Sequence, residues 1–200
     1  MADIISILEA SKLTAKAVVQ MYKGAKSLSD IFLTKKIENF GNAPFSEKAQ
    51  KFIEEMNPDK FEELQEQIIH SITQAESVIK AIYIKNLTKA YCEEKITWQA
   101  FCRMNFILSQ IYTFDIKSLV MFYNDETANN VTDEMTQNKM NFFAQLGLMD
   151  YTNIQDAMGE SPMFEKNEFG QKFIECVAPD LNDASKKRVH EEEESMLELI

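Results

Sequence analysis

The chain is poor in the residues that make turns, disulfides and membrane spans. It has five glycines and four prolines in 200 residues, whereas an all-β sandwich or barrel needs a turn signal about every ten residues. Three widely spaced cysteines, Cys92, Cys102 and Cys176, indicate no disulfide framework and favour a reducing, cytoplasmic environment. No apolar run approaches the roughly 20 residues of a spanning helix, and Asp3 and Glu9 interrupt any signal-peptide pattern.

Residues that carry metal or nucleophilic chemistry are also scarce. The two histidines, His70 and His190, are isolated, and no CxxC pair supplies the close ligands that zinc requires. A Cys–His nucleophile would have to join His70 to Cys92 or Cys102, and neither cysteine adjoins a glycine-rich turn. No GxGxxG, Walker A, HExxH or GxSxG motif occurs. We therefore expect no catalytic residue, no metal and no cofactor.

Acidic residues outnumber basic residues over most of the chain. Twenty-one Lys and Arg face 32 Asp and Glu, for a net charge of −11, which repels nucleic acid. Residues 1–36 are the exception, with six lysines against three acidic residues. A helix predicted over 3–27 has either an ordinary solvated basic face or a face for a membrane surface. Its Ala- and Ser-rich apolar side has no Trp or Phe, which favours the first interpretation.

Apolar side chains at helical spacing are abundant, above all between Thr97 and Tyr112. One stripe contains Phe101, Met104, Leu108, Ile111 and Tyr112, and a second line contains Trp98, Cys102 and Phe106. A helix that is apolar on two sides has to be buried on two sides. The pattern predicts that this helix is the centre of the fold.

Capping residues and breaks predict the neighbouring helices. Ser46 and Pro58 begin two helices, and Thr97 begins the central one. The apolar sets Phe61–Ala75 and Ile79–Ala90 are either one long helix or two helices separated by a turn near 73–76, and the low helix propensity there favours the turn.

The C-terminal third has a different pattern. A helix is predicted over 132–146, short strands over 148–154 and 163–166, and a last helix after Asn167. Helix, hairpin and a capped final helix are typical of the end of a winged-helix module. We therefore predict an all-α fold, a multi-helix bundle over 1–128 with a winged-helix-like module over 129–178 that contains a minor β-hairpin. An acidic tail over 179–200, expected to be flexible, completes the chain.

Two stretches resemble known proteins: KAYCEEKITWQAFCRMNFILSQIYTFDIKSLVMFY in the middle and FFAQLGLMDY with NEFGQKFIECV near the end. The pattern is similar to that of helical proteins carried by bacterial prophages and mobile elements, including those grouped as abortive-infection alpha-type proteins. The resemblance covers about half of the chain and consists of apolar patterns. It implies a bacterial or phage origin and a role in phage–host conflict, and it assigns no functional residue.

Two functional hypotheses from different classes remain. The first is a non-enzymatic interaction or regulatory protein that binds another protein or a further copy of itself, with a membrane-surface variant through residues 1–36. The second is a nucleic-acid-binding regulator, which the eight acidic residues against three lysines in 131–178 disfavour. The candidate interaction residues are Met149, Tyr151, Met158, Met163, Phe164, Met196, Leu197, Leu199 and Ile200.

Overall fold

The computed structural model describes residues 33, 35–37, 40, 45–124, 134–156 and 159–181. They are mostly helical, with one antiparallel pair of strands, so the predicted all-α class with a minor hairpin is confirmed. Contacts divide the chain into two compact units, residues 1–113 and 114–200. The predicted helix over 3–27, Met158 and the tail beyond 181 lie outside the described residues.

Four helices with capped starts belong to the first unit. They are α1 (Glu47–Glu54), α2 (Pro58–Gln74), α3 (Val78–Cys92) and α4 (Trp98–Gln110). The side chains of Ser46, Asn57, Ser77 and Thr97 each accept a hydrogen bond from a backbone N–H of the following turn. The break between α2 and α3 confirms that the two apolar sets are separate helices.

Helix α3, rather than α4, lies at the centre of the first unit. It packs against α1, α2 and α4. Most of the first predicted line of α4 is buried, namely Phe101, Met104, Leu108 and Ile111, whereas Phe106 of the second line is 64% exposed. The prediction of burial on two sides was therefore wrong for Phe106 of the second line and for Tyr112 of the first, which is 61% exposed, whereas Trp98 and Cys102 are half-buried.

At the start of α3 a lysine is buried and the isoleucine before it is exposed, the opposite of what hydrophobicity predicts. Lys80 is 4% exposed, whereas its apolar neighbour Ile79, predicted to face inward, is 52% exposed. The Lys80 ammonium donates to the carbonyl of Ile111 at 2.8 Å and pairs with Glu76 at 2.7 Å. A carbonyl left without an intrahelical partner beyond the end of α4 thus draws a charged side chain inward.

The second unit contains one hairpin among its helices. Its elements are α5 (Thr113–Asn124, whose first residue closes the first unit), α6 (Glu134–Gln145), β1 (Asp150–Asp156), β2 (Gly159–Glu165) and α7 (Glu168–Val177). Strands β1 and β2 pair antiparallel, with Asp150 opposite Glu165 and Tyr151 opposite Phe164. Asn167 caps α7 by accepting from Gly170 N–H, as predicted.

Tyr123 ties three of these elements together. Its hydroxyl donates to the carbonyl of Leu148 at 2.5 Å and accepts from the backbone N–H of Asn167 at 3.1 Å. Gly170 lies against the same hydroxyl, and a Cβ there would overlap both Tyr123 and the Leu148 carbonyl. Helix α5, which supplies this tyrosine, belongs by its contacts to the unit of residues 114–200, whereas the sequence placed it in a helical domain over 1–128.

Candidate protein-interaction surface

Helix α5 presents an exposed apolar face in the second unit. Phe114 is 68% exposed and Met121 is 57% exposed, whereas Ile116, Leu119 and Val120 are buried on the opposite side. The two exposed residues are seven positions apart, so they lie on one side of the helix about 10 Å, or two turns, apart. We call Phe114, Lys117 and Met121 the α5 face.

Two lysines give this face a positive charge. Lys117 is exposed, lies between Phe114 and Met121 on the helix surface, and makes no ion pair with a residue that the structure describes. Lys139, on α6, lies over the Phe114 ring at 5.4 Å. Its ammonium also pairs with the buried Asp115 at 2.7 Å, which fixes α6 beside the start of α5. Phe142, one turn further along α6, is 37% exposed.

The interaction candidates named from the sequence differ in their exposure in the structure. Met149 and Phe164 are buried, at 2% and 0% exposure, because they form the core of the second unit. Met163 is half-buried, and Tyr151 is 47% exposed. Met158, Met196, Leu197, Leu199 and Ile200 lie outside the described residues. Among the described members of the hairpin set, Tyr151 has the largest exposed fraction, and its ring lies 5.4 Å from the Phe164 ring at an interplanar angle of 51°.

The α5 face is not apparent from the sequence, because Phe114 and Met121 stand among the apolar residues of the same short helix. Alternation between buried and exposed apolar residues on one short helix leaves no periodic signal. The large exposed apolar residues described in the first unit, Ile69, Ile79, Phe106 and Tyr112, come from three different helices and the segment after α4. Single exposed apolar residues of this kind are normal on a protein surface.

The first unit has an open cleft beside its aromatic cluster. The cleft has a volume of about 340 Å³ and is lined by Phe52, Tyr91, Glu94, Lys95, Ile96 and Thr97. Tyr91 lines the cleft and belongs to a cluster in which the ring centroids of Tyr91, Trp98 and Phe101 lie 5.3 Å apart in each pair. Trp98 is therefore partly buried by aromatic packing, as its position in the sequence predicts.

Charged groups at this cleft pair with one another. The Glu93 carboxylate accepts from Ser46 at 2.7 Å and pairs with Lys95 at 2.8 Å. Burial by itself would raise the pKa of Glu93, but the hydrogen bonds from Lys95 and Ser46 and the charges of Lys95 and Lys89 hold it below its ordinary value. Lys48 pairs with Glu94 at 3.1 Å. This network joins α1 to the end of α3 and accounts for these charges structurally.

The cysteines have the wrong electrostatics for a thiolate nucleophile. Burial, with a contribution from the Glu93 charge, raises the pKa of Cys92 to about 12. Burial and the Glu63 charge raise the pKa of Cys102 as well. His70 is exposed. Thiols with raised pKa values are protonated near neutral pH and are poor nucleophiles.

Two other features bear on ligand classes. Among the described residues no group of three His, Cys, Asp or Glu is placed to hold a metal ion, and no helix of that part of the chain is long and apolar enough to cross a bilayer. The lysines of the second unit are partly engaged with acids, since Lys139 pairs with Asp115 and Lys172 lies 4.0 Å from Glu175.

Comparison with known proteins gives no family for the chain. No family model, no curated protein and no solved structure matches it.

Proposed function

We propose that this chain is a non-enzymatic protein-interaction or regulatory protein that binds its partner through the α5 face. The exposure of Phe114 and Met121 on one side of a helix whose other side is buried carries the proposal. Burying two large apolar side chains on association contributes more than any polar contact that this surface offers. Aromatic and methionine side chains are also those that protein interfaces favour.

The charge of the face indicates the chemistry of the partner. Lys117 lies between the two apolar side chains, and Lys139 adds positive charge beside Phe114. An amphipathic helix with acidic residues beside its apolar face is the complementary ligand. The order helix, hairpin, helix over 134–177 supports the description of a winged-helix-like module, and we propose that it serves here as the scaffold that positions α5 and α6.

The biological setting follows from the resemblance to prophage-encoded helical proteins. We propose a cytoplasmic role in phage–host conflict, in which the chain senses or restrains another protein. The scarcity of cysteine and the buried thiols fit a reducing compartment.

The proposal is tested by affinity purification from the native host with wild type, Met121→Asp and Phe106→Asp in parallel. Both variants replace one exposed apolar side chain by a charge, and Phe106 lies in the other unit. We expect a partner that wild type and Phe106→Asp enrich and Met121→Asp does not. With purified components, Met121→Asp should weaken the Kd at least about tenfold, as loss of a central interface residue does.

Equal binding of that partner by Met121→Asp and wild type would remove the α5 face from the proposal. Circular dichroism and urea midpoints establish that both variants are folded. They are expected to remain folded because each replaced side chain is more than half exposed.

A further inference from the structure

We propose that the chain's own C-terminal segment, residues 189–200, docks as a helix on the α5 face of the same molecule and competes there with the partner. The inference rests on the proposed function of the α5 face, and it names the first ligand of that face. It is carried by the match between the two surfaces in spacing and charge.

The C-terminal segment has the chemistry that the α5 face requires. Its sequence, VHEEEESMLELI, contains four consecutive glutamates followed by Met196, Leu197, Leu199 and Ile200. At 3.6 residues per turn, Val189, Met196 and Ile200 fall on one side, with Glu193 between the first two. Glu191, Glu194 and Glu198 fall on the other side. The pattern predicts an amphipathic helix whose apolar side includes two carboxylates, those of Glu192 and Glu193.

The spacing of the two helices is complementary. On α5 the order is Phe114, Lys117 and Met121, with steps of three and four residues. On the segment the order is Val189, Glu193 and Met196, with steps of four and three residues. When the two helices run antiparallel, Met196 meets Phe114, Glu193 meets Lys117 and Val189 meets Met121. Each apolar residue then covers an apolar residue, and the Glu193 carboxylate meets the lysine.

The chain is long enough to make this contact. Val189 is eight positions beyond residue 181, the last described residue, and an extended chain of eight residue steps spans about 26 Å. A compact unit of residues 114–200 has an expected radius of gyration of about 12 Å. The segment can therefore reach much of the surface of its own unit.

Docking and helix formation are expected to be coupled. An isolated helix of about twelve residues is marginal in water, so the segment gains its helix from burial of its apolar side. An exposed ion pair contributes modestly, and it fixes the register of the two helices rather than supplying most of the affinity. The segment thereby acts as a built-in competitor that a tighter external ligand displaces.

Disulfide trapping in the full chain tests the contact. In a Cys102→Ser background, which leaves the two buried cysteines Cys92 and Cys176, Met121→Cys is combined with Val189→Cys. The matched control combines Met121→Cys with Glu191→Cys, two positions away on the opposite side of the segment. Docking predicts that the first pair forms an intrachain disulfide at least about tenfold faster than the control, because the sulfurs must approach in a defined geometry.

The charge pair supplies a second readout. Lys117→Glu and Glu193→Lys should each slow formation of the 121–189 disulfide about two- to fivefold, and the double reversal should restore the rate. Equal rates for the 121–189 and 121–191 pairs would overturn the proposal. So would a 121–189 disulfide found only between two chains, which would make a second copy the occupant.

Partner binding separates this inference from the function on which it rests. If the segment competes, Met196→Asp combined with Val189→Asp raises partner affinity without changing the α5 face. If a partner needs Met121 for binding but binds wild type and this double variant with equal affinity, the proposed function stands and the competition is overturned. A fast 121–189 disulfide, found together with no partner whose binding needs Met121, would support docking of the segment and contradict the proposed function.

Discussion

At the scale of single residues, the structure departs from local preference at two positions, through tertiary contacts at Gly170 and through the turn that ends α3 at Glu94. Gly170 lies inside α7, where glycine ordinarily costs about 1 kcal/mol relative to alanine, yet the hydroxyl of Tyr123 and the carbonyl of Leu148 occupy the space of its missing side chain. Glu94 has a φ of 58°, a left-handed conformation that usually selects glycine. Both residues look unremarkable in the sequence.

Gly170→Ala is expected to destabilise the protein despite alanine's higher helix propensity. Its methyl group would force apart α7, Tyr123 and the Leu148 carbonyl, at a cost of about 1–3 kcal/mol. Urea unfolding measures the change, with Glu175→Ala, an exposed site on the same helix, as the control within about 0.5 kcal/mol of wild type. A Gly170→Ala variant as stable as wild type would contradict the close packing at this site.

Glu94→Gly is expected to be more stable than Glu94→Ala by about 1 kcal/mol. Both variants lose the exposed Lys48 ion pair, whereas glycine alone is relieved of the left-handed strain at the end of α3. Urea midpoints of the two variants give the comparison. If alanine proved the more stable of the two, a left-handed residue 94 would be ruled out.

At the scale of elements, α4 shows how a helix can be apolar on two sides and buried on one. Phe101 and Leu108 are fully buried against the rest of the first unit, whereas Phe106 is exposed on the same helix. The start of α5 is held by an acid from a distant turn: the Glu76 carboxylate accepts from the backbone N–H of Thr113 at 2.8 Å and from its hydroxyl at 2.6 Å. The local sequence predicts neither which side of α4 is buried nor which acid contacts Thr113.

Phe101→Ala and Leu108→Ala are each expected to cost about 2–5 kcal/mol, from lost burial and the residual cavity. Phe106→Ala removes the same kind of side chain from an exposed site and should stay within about 0.5 kcal/mol of wild type. Urea denaturation of the three variants measures this. Similar losses at Phe101 and Phe106 would mean that α4 is buried on both sides after all.

The Glu76 contact is expected to make stability depend on pH. Burial alone would raise the pKa of Glu76, but hydrogen bonds from Lys80 and Thr113 outweigh it and hold the pKa below the ordinary 4.5. Because the folded-state pKa is depressed, the stabilisation is fully present above the unfolded pKa and is lost as the pH falls through the folded pKa. The urea midpoint of wild type should therefore fall more steeply below pH 4.5 than that of Glu76→Gln.

The control for this experiment is Glu66→Gln, an exposed site on α2. Its pH dependence should follow that of wild type. Parallel curves for wild type and Glu76→Gln would show that the carboxylate does not cap the start of α5.

At the scale of the whole molecule, the net charge of −11 disfavours binding of polyanions such as nucleic acid. Among the described residues of the second unit the lysines are few, and two of them lie beside acids. Protein recognition through a small apolar face with a lysine at its centre is compatible with that charge. Phosphate recognition needs several free cations on one surface.

The protein is accordingly expected not to bind duplex DNA with sub-micromolar affinity at moderate salt. Fluorescence anisotropy with a labelled duplex at low and moderate salt measures this. Salt-sensitive sub-micromolar binding that is lost in Lys139→Glu or Lys166→Glu would reverse the assignment and favour the nucleic-acid hypothesis.

The sequence alone determined the fold class and most boundaries of the described helices. Helical spacing, few turn residues and the caps Ser46, Thr97 and Asn167 act locally, so they can be read without the fold. Tertiary structure decided which apolar side chains stay exposed. Lys80 turns inward because a distant carbonyl needs a donor, and Tyr123 joins the C-terminal unit through contacts with Leu148 and Asn167. The α5 face arises in the same way, because burial depends on which helices meet, and residues far apart in the chain determine that.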